Sequence, residues 1–432
     1  MQTDSRKRRT VLWAGLAIVT GLAVWALLRV EFINNLDYFV YLESAQSLIS
    51  GRTDFYSSDF AINRWLDYRY PPLFLYLFLP FATMPLDLGE LVWTWLSTLS
   101  FILAALSWLK LRERLSGDSS SIALVALLTF VGLSKYLFIA LQNQNANILV
   151  WSLTIFGFVL AYRRMDTGSA FAFALAISVK IFPVLILPFL LAQKRLKLVA
   201  LTSLFIIVLN LLPMAHLGMQ GAVTSNIEWA RHVLIENDYH TKNGPVNLSL
   251  QGLIRRYLVE IDYDSAEFNS DYENVNLITI SEDGAFGIWL AIFFLVYFGT
   301  LFFVLNLRRN GGSNESAFGG RAFLYETGAI AALVLLTSPR TNSMYLIGLA
   351  VPISVLSGRL LSEKSKSAWS AYLLTVLVTV LLPVAIPGSW AARYFEVLGV
   401  DTFVCFVLLV TMLYYLHKER SVLPDPVREP TS

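Results

Sequence analysis

Cysteine and charge are what this chain has least of. Its one cysteine, Cys405, lies inside an apolar run, which excludes a disulfide framework and a cysteine-based zinc site. Only 15% of the 432 residues are charged and 56% are hydrophobic, against about a quarter charged in soluble domains. A soluble globular enzyme is therefore excluded. There is no Walker loop, dinucleotide-binding glycine fingerprint or Gly-x-Ser-x-Gly elbow, so cytosolic nucleotide chemistry and serine hydrolysis have no support. His216, His232 and His240 lack metal-ligand spacing, and no metal or other cofactor is expected. The net charge of +2 gives no reason to expect nucleic acid as a partner. No internal repeat or low-complexity tract appears.

What the chain does have is basic punctuation. RKRR (6–9), KLRER (110–114), YRR (162–164), QKRLK (193–197), RR (308–309), GRLLSEKSK (358–366) and HKER (417–420) each fall at the same end of a long apolar segment. The positive-inside rule then places both termini in the cytoplasm of a multi-pass cell-membrane protein. Apolar runs near 11–29, 88–109, 121–141, 146–161, 198–216, 286–307, 322–338, 343–358, 368–387 and 401–416 predict an all-α integral membrane bundle. It has about ten full transmembrane helices, plus short re-entrant or interfacial ones. Residues 1–420 read as one domain with external loops at about 30–87 and 217–285, and 421–432 as a cytoplasmic tail. The first run lacks a small-residue cleavage site and reads as an uncleaved signal anchor.

Two stretches do not read as simple spans. Residues 169–192 lie between two basic clusters and carry Lys180 and Pro183 near the middle. They suit either a re-entrant hairpin of two half-helices or a tilted span with one misplaced basic end. Residues 71–85 (PPLFLYLFLPFATMP) are too short to cross and suit an interfacial helix.

The unusual polar residues fall on the external side of this topology. Asp37 starts the amphipathic stretch LDYFVYLESAQSLISG, where it suits a helix N-cap or a partly desolvated proton acceptor. Asp54, Asp59 and Asp67 share its loop without forming a DxD pair. Lys180 and Arg340 are boundary cations fit to bind a phosphate or simply to snorkel, as Lys135 does. The turn QNQNAN (142–147) offers amides, Gln144 and Asn145 among them, for sugar hydroxyls or for an ordinary turn. NGPVNLSLQGLIRRY (243–257) offers Asn247, Gln251, Arg255 and Arg256 on a surface helix.

Four blocks resemble glycosyltransferase family 87, multi-spanning GT-C transferases that use polyprenyl-phosphate-mannose. They are NNLDYFVYLESAQSLISGRTDFY, YRYPPLFLYLFLPFATMP, QNQNANILVWSL and AFALAISVKIFPVLILPFLLAQKRLK. NLSLQGLIRR and SPRTNSMYLI fit two later blocks more loosely, and the likeness runs over about residues 30–345. It implies inverting transfer of a hexose, mannose first, from a polyprenyl-phosphate donor to a glycolipid or glycan acceptor at the outer face. Asp37 falls at the family's general-base position, and Arg340 and Lys180 stand within reach of the donor phosphate. Tyr38, Tyr41, Tyr70 and Trp65 shape the sugar subsite. After the Ser-Pro block, Arg340, Asn342, Met344 and Tyr345 replace the aromatic and His residues common in the family. A secondary transporter and an envelope-polysaccharide polymerase or ligase are the rival readings.

Overall fold

The computed structural model describes residues 36–56, 68–117, 120–236, 247–263, 274–310, 320–363, 365–381 and 390–421. Among them every regular element is helical. The run at 11–29, Asp59, Trp65, Asp67, His240 and the tail from 422 lie outside the described residues.

Two short helices precede the bundle: α1 (Leu36–Ile49) and α2 (Pro72–Ala82). Pro71 and Pro72 open α2, where a missing N–H costs nothing. The bundle itself begins with α3 (Leu86–Ser116), α4 (Ile122–Gln142), α5 (Asn147–Tyr162) and α6 (Asp166–Val179). A 3-10 turn at Phe182–Ile186 and α7 (Leu187–Ala192) lead back to α8 (Leu196–Leu211), and α9 (Met214–Ala230) follows after a break. The second half comprises α10 (Leu250–Leu258), α11 (Glu282–Asn310) and α12 (Arg321–Thr337). A 3-10 segment, Ser343–Leu349, then enters α13 (Ala350–Glu363), followed by α14 (Lys366–Val376), α15 (Trp390–Val397) and α16 (Val400–Ser421).

Five of these stretches are long and apolar enough to span a bilayer, or six if α8 and α9 count as one. The ten full spans expected from sequence are thus not reached among the described residues. The reason lies in length and burial. α5 has 16 residues, about 24 Å of helix against a hydrocarbon core of about 30 Å. α12 has 17, with Ala322–Thr337 buried throughout, so its apolar sequence records a central packing position beside α13 and α16. The run at 198–216 breaks at Pro213, where α8 and α9 meet at 109°, because proline removes a helical N–H and clashes with the preceding turn.

The bundle has two chemically distinct ends. Arginines gather at one. Arg195 Nη1 donates to Ala161 O at 2.6 Å and lies 3.9 Å from Asp166. Arg308 pairs with Glu326, Arg359 with Glu363, and Arg321 with Glu363 at 3.5 Å. Arg321 also donates to Ser116 O at 2.8 Å. The clusters at 110–114, 162–164, 193–197, 308–309 and 358–366 therefore share one end.

The same contacts resolve the misfit at 169–192. Residues 161–166 and Arg195 touch, while Lys180 Nζ lies 3.1 Å from Asn147 Oδ1, at the opposite end of α5. The chain goes out along α6 and returns through the 3-10 turn and α7: a hairpin. Its ends are predicted to react from the same side of the membrane. In a Cys405→Ala background, Thr167→Cys and Lys197→Cys should both label with an impermeant maleimide applied to one face. Labelling from opposite faces would rule the hairpin out.

Candidate active site

Every residue of the site lies at the end away from those arginines. Asp37 occupies the first turn of α1, and Tyr41, four residues on, shares its side of the helix. Beneath them the α4–α5 turn is closed by a pair of backbone bonds, Asn145 N to Ala140 O and Gln144 N to Leu141 O, both 3.0 Å. This is a Schellman closure, and it holds Gln144 at a φ of 51°, a left-handed conformation costly for a residue with a Cβ. The turn aims Asn145 inward, and its Nδ2 donates to Asp37 Oδ2 at 2.6 Å. The hairpin tip arrives from below. Lys180 is extended (φ −146°, ψ 132°), and its Nζ lies 3.1 Å from Asn147 Oδ1 and 3.4 Å from Asn145 Oδ1. The ammonium stands 4.8 Å from the centre of the Tyr70 ring and 4.4 Å from that of Tyr345. Tyr41 and Tyr70 share a 2.6 Å hydroxyl contact, and Ala146 N donates to the Tyr41 oxygen at 3.2 Å.

Arg340 closes the far wall on the loop after α12. That loop is clamped by Asn247, whose Nδ2 donates to Pro339 O at 3.3 Å and whose Oδ1 accepts from Thr341 N at 3.2 Å. Ser249 Oγ adds a 2.9 Å bond to Pro339 O while capping α10 through Gly252 N. Gly252 is required there, because a Cβ would fall 2.2 Å from Asn247 O.

Asp37 is half-buried and Arg340 exposed, yet loss of solvent acts strongly on both. Together these describe a recess that water reaches but protein encloses. Burial lifts the Asp37 carboxyl above its usual range, with Lys180, the Asn145 hydrogen bond and Arg340 pulling the other way. The Arg340 guanidinium is pressed downward by burial and next by Arg69. Two guanidinium groups near enough to repel mark a place where an anion would be favoured.

Of the residues chosen from sequence, Asp37, Tyr41, Tyr70, Asn145, Lys180 and Arg340 come together. Four do not. Tyr38 turns into the protein, where its hydroxyl would meet a Cβ on Gly89 at 2.6 Å. Gln144 donates to Glu90 Oε1 at 2.7 Å. Asn247 serves the Arg340 loop, and Gln251 is buried within α10. The surface helix expected around them is instead an inward-facing one: Arg255 pairs with Glu282, and Arg256 donates to Val397 O and Asn247 O at 2.9 and 2.6 Å. Lys135, read as snorkelling, contacts both Asp401 oxygens at 2.9 and 3.0 Å. Sequence reasoning missed Arg69, Asn147 and the role of Tyr345. No group of three or more metal-ligating side chains occurs among the described residues.

Among the described residues, an all-helical membrane protein brings an acid, its amide partner and two arginines together in one recess, which defines a site for a polar substrate. Residues 68–339, well over half of the chain, match the model of glycosyltransferase family 87, and the chain belongs to that family. It is a membrane glycosyltransferase. The curated proteins offer no match. Arg69, Tyr70, Asn145 and Lys180 lie within the matched segment, Arg340 one residue past it, and Asp37 ahead of it.

Replacing Asn247 with Ala strands the Thr341 N–H. We expect a loss of about 1–3 kcal/mol, read as a lower unfolding midpoint in detergent, together with weaker donor use through the loosened Arg340 loop. An unchanged midpoint and unchanged kinetics would refute the clamp.

Proposed function

We propose that this enzyme transfers a hexose, mannose by family likeness, from a polyprenyl-phosphate-linked donor to a hydroxyl of a glycolipid or glycan. Transfer takes place at the external membrane face with inversion, and Asp37 is the general base. The observation that carries the reading is the placement of Asp37 across one recess from Arg340 and Arg69. Supporting the orientation, the basic clusters gather at the opposite end, which the positive-inside rule assigns to the cytoplasm together with both termini.

The chemistry follows from the two walls. The Asp37 carboxylate takes the proton of the acceptor hydroxyl as that oxygen attacks the anomeric carbon. The bond from the anomeric carbon to the phosphate oxygen breaks on the opposite side, and the lipid phosphate leaves with the electron pair. Arg340, with Arg69 beside it, meets the growing negative charge, and an anion between the two relieves their repulsion. Tyr41 and Tyr70, both buried, brace the Asp37 side of the recess. A lipid-carried donor also suits a site facing away from the cytoplasm, where nucleotide sugars are made.

Asp37→Asn is expected to lower kcat by about 10²- to 10⁴-fold, with insertion and donor KM little changed. Arg340→Ala should lower kcat as well as raise donor KM, because the guanidinium meets charge that grows in the transition state. The base works only when charged, and its carboxyl is held above the ordinary aspartate value of about 3.9. Activity should therefore be present above that raised value and fall as pH drops through it, on an acid limb missing from Asp37→Asn. Undiminished transfer by Asp37→Asn would remove the residue as base. Sugar uptake into proteoliposomes without a covalent product would favour transport instead.

A further inference from the structure

Lys180 has the surroundings of a group already spoken for. Its ammonium has three N–H donors. Two of its sides face the Asn147 and Asn145 carbonyl oxygens, and the ring faces of Tyr70 and Tyr345 cover two more. Arg340, in contrast, is exposed and makes no side-chain hydrogen bond or ion pair among the described residues. A phosphate entering the recess meets the guanidinium directly, but must displace amides and aromatic faces to reach the lysine.

We propose that Lys180 is a positioning residue for Asp37 and not a ligand of the donor phosphate: its charge fixes the Asn145 amide so that the nitrogen end is held on the carboxylate. An amide can turn end for end. Reversed, Asn145 would aim its nitrogen at an ammonium and its oxygen at a carboxylate, two repulsions in place of two attractions. Asn147 anchors the same ammonium through its own oxygen, and its backbone N donates to Asn145 Oδ1 at 2.8 Å, which holds that oxygen end in place.

This inference rests on the general-base reading of Asp37, and its test separates the two. The charged and titratable groups around Asp37 are Lys180 from the hairpin tip, Arg340 from the loop after α12, Tyr41 from its own helix and Tyr70 from the segment before α2. Tyr345 follows through Lys180 and Tyr41. Lys180→Met, in full-length protein in nanodiscs with polyprenyl-phosphate-mannose, removes one cation from this set. A misplaced base predicts a kcat loss of about 10- to 100-fold, with donor KM within about twofold. The acid limb should move to higher pH, because the carboxylate loses a stabilising charge. In an Asn145→Ala background the same change should add little, since the amide that transmits it is gone.

A raised donor KM with kcat and the acid limb unmoved would make Lys180 a phosphate ligand and overturn the proposal. So would full additivity with Asn145→Ala. If Lys180→Met does not fold, Asn147→Ala should give a smaller kcat loss in the same direction, and no loss would count against it. If the wild type transfers nothing from this donor, the functional reading falls alone. The infrared carboxyl band that disappears in Asp37→Asn must still titrate higher in Lys180→Met, or the positioning role falls too.

Discussion

A single amide interposed between an acid and a lysine is the constraint on which the site depends. At low dielectric, a carboxylate touching an ammonium forms an ion pair and loses basicity. Elsewhere in this protein Lys135 and Asp401 form such a direct pair: the ammonium contacts both Asp401 oxygens at 3.0 and 2.9 Å, Tyr136 donates to one of them at 2.7 Å, and the contact holds α16 to α4. Asp37 and Lys180 avoid this because Asn145 stands between them, donating to one and accepting from the other. On the proposed general-base reading, the amide transmits orientation without neutralising the carboxylate.

Holding that amide requires two elements distant in sequence. The α4–α5 closure sets the Asn145 backbone and accepts a left-handed glutamine to do so. Gln144 is compensated at that position: its carbonyl accepts from Trp93 Nε1 at 2.8 Å and its side chain donates to Glu90. The hairpin supplies the lysine, which is why α6 and α7 return to the arginine end without crossing. The Arg340 loop is held by Asn247 and Ser249, just ahead of α10; α10 is tied to the end of α15 through Arg256, which donates to Val397 O, and the segment entering it to the start of α16 through Thr402 Oγ1, 2.6 Å from Leu248 O. The acid and the arginine therefore sit on walls held mainly by different contacts, joined where Tyr345, five residues past Arg340, reaches Lys180 and Phe182 of the hairpin.

Much of this was legible in the sequence. Basic clusters located one end of the bundle, and Lys180 and Pro183 between two such clusters marked 169–192 as a misfit that suited a hairpin or a tilted span. Asp37 stood out because a carboxylate beside an apolar run is expensive. Less legible were the span count and the partners. A run such as 322–338 looks the same whether lipid or protein surrounds it, and here protein does. Lys135 resembled a snorkelling residue because its partner lies 266 positions away. Arg69 was hidden between two tyrosines of a block read for its prolines, and only folding brings it beside Arg340. Asn147 and Gln144 were interchangeable as amides in a turn until the backbone geometry pointed them apart.

Asp37, the proposed base, is carried by a short helix outside the segment that matches the family, and packing sets its position. Tyr41 supplies it: its ring lies 4.9 Å from those of Tyr70 and Phe74, 5.4 Å from Phe78 and 6.1 Å from Trp93. Edge-to-face contacts of this kind fix orientation as well as distance, and the Tyr41 hydroxyl then meets Tyr70 and Ala146. Because Tyr41 follows Asp37 by four residues on one helix side, locking the ring locks the carboxylate one turn above it. A rigid aromatic block thus does for α1 what hydrogen bonds do for the Arg340 loop, leaving the recess between two fixed surfaces.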